Sequence, residues 1–161
     1  MGREVNKRPT HMPSPRMTDD EIWSFVTDAH TGILTTLRRD GVPIALPLWF
    51  ACLDRRIYFR TRGKKLGRIA HDSRSSFLVE SGKRWVDLKA VHLTGRSEIV
   101  DLDGELAERI RAETDRKYAA FRDRTEMPKA TAEHYKKVMG GVVRFTPDDR
   151  ILNWDNAKLA T

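Results

Sequence analysis

The sequence predicts an α+β fold that is mainly β, a small barrel of six or more antiparallel strands with helices at its periphery. Three observations carry this. Short runs of β-branched and aromatic residues recur between Gly, Pro and Asp turn signals, and helical spacing is confined to a few segments. Several runs are separated by only two or three turn residues, which joins them as antiparallel neighbours. With 161 residues, 39% of them hydrophobic, the chain suits one domain with its own core.

The elements follow in order. Residues 1–17 hold three prolines, four basic residues and no periodicity, and read as a flexible basic arm ahead of a single domain over 18–161. Thr18 and Glu21 form a capping box. Ile22, Phe25, Val26 and Ala29 then give a helix over about 19–29 with one buried face. Gly32 to Arg38 is a strand, Arg39-Asp40-Gly41 a hairpin turn, and Val42 to Leu53 the return strand. Pro43 and Pro47 cannot donate ladder bonds, so they mark an edge or a bulge. Asp54-Arg55-Arg56 turns into a strand over Ile57–Thr61, which would complete a three-stranded meander.

Phe77 to Glu80 and Trp85 to Val100 supply more strand, the latter bending at Gly95. A helix over Gly104 to about Arg124 is expected to bury Leu106, Ile110, Tyr118 and Phe121. A second covers about Ala130 to Val138, and Gly140-Gly141 breaks it before a last strand at Val142–Phe145.

Composition narrows function. The net charge of +7 favours acidic partners, and residues 55–74 carry eight Arg and Lys against Asp72 alone. No apolar run is long enough for a membrane span, and the N-terminus lacks a signal-peptide core. A lone cysteine, Cys52, fits a reducing cytoplasm and reads as an inert core residue. The five histidines show no ligand spacing, so no metal is expected.

The most informative stretch is Ile57 to Ile69. A β run meets Arg62-Gly63, and a basic helix follows with Lys64, Lys65, Leu66, Gly67 and Arg68. Such a turn gathers the Thr61 hydroxyl, several cations and unsatisfied helix N-terminal amides at one point, which suits a phosphate. It is neither a P-loop nor a dinucleotide fingerprint. A strand followed by a solvated basic helix would read the same way.

Five segments, taken together, resemble the flavin-binding split-barrel family related to pyridoxamine 5′-phosphate oxidase. They are G-I-L-T-T-L-x-x-D-G-x-P-x-x-x-P-L-W-F (Gly32 to Phe50), Y-F-x-T-x-x-x-K-x-x-x-I (Tyr58 to Ile69), D-S-R (Asp72 to Arg74), V-x-L-x-G-R-S-E-I-V (Val91 to Val100) and L-N-W-D-N-A-K-L (Leu152 to Leu159). The last is similar to the tail of the family's actinobacterial-type branch, which uses FMN or the deazaflavin coenzyme F420.

The resemblance implies an antiparallel split β-barrel and a homodimer with cofactor sites at the subunit interface. It assigns Thr61, Arg62, Lys64 and above all Lys65 to the cofactor phosphate. It sets Leu46, Pro47, Leu48 and Trp49 beside the ring, whose polar edge the strand backbone would read. Trp85, Lys89 and Trp154 would reach the neighbouring subunit's cofactor.

Departures from the family pattern argue against oxidation of pyridoxamine phosphate itself. The strand that carries Arg and Lys there is apolar here (Pro43 to Leu48), and Ala90 stands where a glutamine is frequent. The extra cations Arg56, Arg60 and Arg68 would suit a longer acidic tail such as the oligoglutamyl chain of F420. The expectation is a cytoplasmic oxidoreductase passing a hydride between F420, or alternatively FMN, and a small conjugated organic substrate. The cofactor carries the hydride in such chemistry, so no catalytic base is named, with Tyr58 and His92 the candidate proton donors. A non-catalytic F420- or FMN-binding carrier or sensor is the alternative. A nucleic-acid-binding module stands third, since the arm has no aromatic residue to stack on bases.

Overall fold

The computed structural model describes residues 13–102, 104–122 and 128–160. In chain order they form α1 (Asp19–Asp28), β1 (Gly32–Leu37), β2 (Pro43–Leu48), β3 (Ala51–Leu53), β4 (Arg56–Arg62), α2 (Lys64–His71) and β5 (Arg74–Ser81). β6 (Lys89–Val100), α3 (Gly104–Tyr118), α4 (Lys129–Lys137) and β7 (Gly140–Asp155) complete them. Single 3-10 turns cover Trp85–Asp87, Ala119–Phe121 and Asn156–Leu159. The seven strands make one antiparallel sheet in the order β2-β1-β5-β6-β7-β4-β3. The mainly-β α+β split barrel expected from the sequence is what the chain adopts.

Closure follows from connectivity. β2 and β3 are the two edges of the sheet, yet only Trp49 and Phe50 separate them in sequence. Three Cα steps span at most about 11 Å, so the sheet must curl until its edges nearly meet. They do not pair, and that seam is the split. The single return strand expected over Val42–Leu53 is therefore two strands, and the three-stranded meander does not form. β2 pairs with β1 while β3 pairs with β4, on opposite edges.

Alternation decides what faces inward. Leu34, Ile57, Phe59, Phe77, Val79, Val91, Leu93, Val143 and Phe145 line the interior at 0–3% exposure. Each such side chain contributes about 1.5–3 kcal/mol of burial. Gly32 and Gly95 are required by this packing. A Cβ on Gly32 would lie 2.2 Å from Phe77, and one on Gly95 2.2 Å from the Thr146 carbonyl. Gly95 also sits at the register shift between β6 and β7, so the expected bend is a close backbone crossing.

The helices seal the barrel's ends. Thr18 and Glu21 form the expected capping box, and α1 buries Ile22 and Val26. Of the apolar residues expected in the core from α3, only Tyr118 is buried. Leu106 and Ile110 are half-buried, and Phe121 is 62% exposed. α3 lies on the surface, and its last turn reaches inward with Tyr118 and the Lys117 Nζ. The part of that expected helix beyond Arg122 lies outside the described residues. The last strand runs sixteen residues, with Gly140 and Gly141 inside it opposite Arg62 and Thr61.

Residues 1–12 of the expected arm also lie outside the described residues. Its final residues are packed. Met17 is 6% exposed and its amide donates to Asn153 Oδ1 (2.7 Å), while the Asp155 amide donates to the Pro15 carbonyl (2.7 Å). Pro15 and Met17 are thus tied to the end of β7. Among the described residues no helix is long and apolar enough to cross a membrane.

Candidate functional site

The β4–α2 turn is built as a cation-rich helix start. Gly63 is the N-cap, with φ +64°, a conformation that favours glycine. It offers no side-chain cap, and the first turn holds Lys64 and Lys65 and no acid. Both lysines oppose the helix dipole. Burial and the Arg68 charge hold the Lys65 ammonium below its ordinary pKa. An anion at this point would relieve all three mismatches. The Gly63 amide already donates to the Met139 carbonyl (3.3 Å), so the amides available to a ligand begin at Lys64.

The edge of β2 is the second component. Arg38 donates to the Val42 carbonyl across the turn (2.9 Å). With the observed register, Thr36–Ile44, Leu34–Leu46 and Gly32–Leu48 are then the hydrogen-bonded pairs. Pro43, Ala45 and Pro47 therefore point their backbone groups away from β1. The prolines fall where no ladder bond is lost, and the unbroken register makes β2 an edge rather than a bulge. The edge presents three carbonyls, from Pro43, Ala45 and Pro47, but one amide, that of Ala45. It is thus mainly an acceptor surface. Leu46, although on the inward face opposite Leu34, is 41% exposed because it lies at the seam.

Between these components lies a groove of about 540 Å³. α2 lines it with Lys64, Gly67, Arg68 and His71, one stripe of the helix. The β1–β2 hairpin faces them with Leu37, Arg38, Arg39 and Ile44. Arg68 is aimed by its Nε, which donates to the buried Thr36 hydroxyl (2.9 Å). Among the described residues no carboxylate lines the groove. The stripe on α2 is visible in the spacing 64, 67, 68, 71. That Arg38, Arg39 and Ile44 face it is a tertiary fact that sequence reasoning missed.

The structure thus brings Thr61, Arg62, Lys64 and Lys65 together on one turn, with Lys64 shared by the groove that reaches β2. Leu46, Pro47 and Leu48 continue along β2 from that groove. Trp49 has one face already taken, stacked on Tyr118 at 4.4 Å and 5°. His30 packs edge-on against both rings. Trp85 and Trp154 are elsewhere. Gly140 pairs with Arg62 at one end of β7 and Trp154 with Ala90 near the other, roughly 45 Å of extended strand apart. Lys89 is engaged by Asp155 (3.2 Å) and lies over the Phe25 ring (5.0 Å).

Arg56 belongs to a different hollow, where Tyr58, Arg109 and Arg144 meet Asp54 and Glu105. Tyr58 is 4% exposed there, away from the α2 turn. His92 lies on the outer sheet face with its Nδ1 buried and without a hydrogen-bond partner among the described residues. Cys52 is buried, and burial pushes its thiol pKa up.

Known proteins are consistent with this architecture. A conserved hypothetical protein of Mycobacterium tuberculosis superposes with a TM-score of 0.73 at 27% identity, over 96% of this chain and 94% of that one. A FAD-binding protein of Mesorhizobium loti (TM-score 0.63, 21% identity, 85% and 94% covered) shares the fold. So does a heme storage protein of Vibrio cholerae (TM-score 0.61, 13% identity, 83% and 92% covered). No curated protein matches the sequence. The pyridoxamine 5′-phosphate oxidase family matches residues 18–148, and with the split barrel and its β4–α2 turn in place the chain belongs to that family.

Proposed function

We propose that the protein is an oxidoreductase that holds a phosphorylated flavin or deazaflavin and transfers a hydride between it and a small conjugated organic substrate. F420 is the expected cofactor and FMN the alternative. The observation that carries this reading is the uncapped, lysine-bearing start of α2, joined by a groove to the acceptor edge of β2. A neighbour of like fold is a FAD-binding protein, which supports a flavin as the occupant.

The residues fit such a group. Lys65, Lys64, Arg62 and the Thr61 hydroxyl would neutralise and orient the phosphate, with the α2 amides from Lys64 onward adding donors. The β2 carbonyls would accept from ring N–H groups, and Leu46, Pro47 and Leu48 would exclude water along the ring. When bound, the cofactor supplies the hydride acceptor and donor atoms. The chain's part is orientation and electrostatics.

The reading includes a homodimer. Pro47, Ile33, Leu78, His92 and Leu152 form one row across five strands on the outer sheet face. Leu152 is 51% exposed and Trp154 39%. A second copy on this face would cover the row, supply a partner for His92 Nδ1, and bring Trp85 and Trp154 to the neighbour's cofactor. Light scattering should give a dimer mass, and Leu152→Asp should give a monomer.

The test of the cofactor is a fluorescence titration with FMN and F420 side by side. Saturable micromolar binding of either supports the reading, and binding of neither overturns it. A carrier without turnover is the second reading, favoured by the placement of Tyr58 and His92 away from the α2 turn. Oxidation of the reduced cofactor by quinone or enone acceptors, at a rate that depends on protein, separates enzyme from carrier.

A further inference from the structure

We infer that the hollow between the start of α3 and the outer face of β4 and β7 binds a small zwitterion, a molecule carrying a carboxylate and an ammonium as a free amino acid does. The hollow measures about 510 Å³, shares no residue with the β4–α2 turn, and does not depend on the cofactor reading. One row of the sheet supplies its floor. Ile57, Phe59, Val143 and Phe145 fill the barrel, so alternation turns Tyr58 and Arg144 to the outer face. These two are register partners across β4 and β7, and Arg144 is in turn the partner of Glu98 on β6. Arg56 stands two positions before Tyr58 on the same face. The first turns of α3 add Glu105, Leu106 and Arg109, and the β3–β4 turn adds Asp54.

The Tyr58 hydroxyl is the feature that points to a ligand. Tyr58 is 4% exposed, yet its hydroxyl makes no hydrogen bond among the described residues. A buried phenol ordinarily has a partner, because an unpaired polar group away from water is unfavourable. Tyr58 lines the hollow, and that is where a partner can stand. Its phenol lies within electrostatic reach of the Arg109 and Arg144 guanidinium groups. Arg109 is engaged by Asp54 (3.1 Å) and Arg144 by Glu98 (2.7 Å). Arg56 and Glu105 line the same hollow with no ion pair among the described residues. The lining therefore offers one uncommitted charge of each sign beside a phenol that can donate. A ligand carboxylate would accept from the Tyr58 hydroxyl and the Arg56 guanidinium, and its ammonium would donate to Glu105. A ligand of negative charge alone fits less well, since Asp54 and Glu105 repel it.

Calorimetry near neutral pH tests this, with the common amino acids as probes and acetate, methylammonium and inorganic phosphate as controls. At least one amino acid should bind saturably, and roughly tenfold more tightly than acetate or methylammonium alone. Tyr58→Phe removes a hydroxyl that bonds to nothing in the free protein. Its melting temperature should therefore match the wild type, while amino-acid affinity falls about tenfold. Arg56 is exposed, so Arg56→Gln should fold normally and weaken the amino acid and acetate alike. Glu105→Gln should weaken the amino acid by about twofold to fivefold, the scale of an exposed ion pair, and leave acetate unchanged.

The inference falls if no amino acid binds, or if Tyr58→Phe and Arg56→Gln leave amino-acid affinity unchanged. It falls equally if Glu105→Gln weakens acetate as much as the amino acid. Phosphate bound more tightly than every amino acid would make the hollow a plain anion site and overturn the zwitterion. A clear drop in the melting temperature of Tyr58→Phe would give the hydroxyl a structural partner and remove the premise.

Discussion

The Tyr118 hydroxyl lies 2.9 Å from both the amide nitrogen and the carbonyl oxygen of Phe50. It accepts from the amide, and its one proton is shared between the Phe50 carbonyl and that of His30, also at 2.9 Å. Phe50 is half of the two-residue link that carries the chain from one sheet edge to the other. The last turn of α3 therefore clamps the seam of the barrel. Phe50 is 2% exposed and Tyr118 is fully buried, so neither backbone group can turn to water instead.

Tyr118→Phe removes that clamp with little change in volume. It should cost about 1–3 kcal/mol, because a buried Phe50 amide loses its acceptor. Urea denaturation of the two proteins reads this directly. A cost below about 0.5 kcal/mol would mean that the link is held by packing alone.

Lys117, one residue before the clamp, should make stability depend on alkaline pH. Its Nζ is buried without a hydrogen-bond partner among the described residues and sits 3.8 Å over the Phe50 ring. Burial is the main cause that lowers its pKa to about 8 from an ordinary 10.5, against the opposing charge of Glu113. Between these values the unfolded chain binds the proton that the folded chain has released, so the contribution of Lys117 to stability should rise as pH increases from 8 to about 10.5. Below 8 the folded protein holds a charge in a poor environment. Lys117→Met should flatten that rise and be more stable at pH 7, as chemical denaturation at several pH values would show.

Lys65→Ala should weaken cofactor binding by roughly 1.5–3 kcal/mol if a charge-assisted contact to phosphate is lost. The same variant removes one of two lysines that oppose the α2 dipole, so its unliganded melting temperature should hold or rise. Loss of affinity together with retained stability marks a binding residue. Unchanged affinity removes Lys65 from the site.

The two glycines Gly67 and Gly95 should respond to alanine with opposite sign. Gly67→Ala puts a methyl into open space on a helix and should stabilise by about 0.5–1 kcal/mol. Gly95→Ala puts one 2.2 Å from a backbone carbonyl and should cost about 1–3 kcal/mol or more, since the β6–β7 crossing must shift. Thermal unfolding of the pair compares them under one condition.

Local rules were sufficient for much of the fold. The capping box of Thr18 and Glu21, the hairpin turn at Asp40-Gly41 and the strand–glycine–helix turn at Gly63 are contained in neighbouring residues, and all were legible. They depend on backbone preference and on contacts a few positions apart. Pro43 and Pro47 limited β2 to an edge or a bulge, and the partner strand's register decided for the edge.

Residue order and spacing are enough for the class of the fold, most of its elements, and a cation-rich helix start with no cap. Long-range packing decided the break at Trp49-Phe50, which requires Tyr118 from sixty-eight residues away. It also decided which cations converge. Arg39 and Arg68 share a groove, whereas Arg56 faces Arg109 and Arg144 on another side of the barrel. Charge along a strand or helix is a local pattern. Whether two charged stretches face each other depends on how the sheet curls, and the curl is set by the seam.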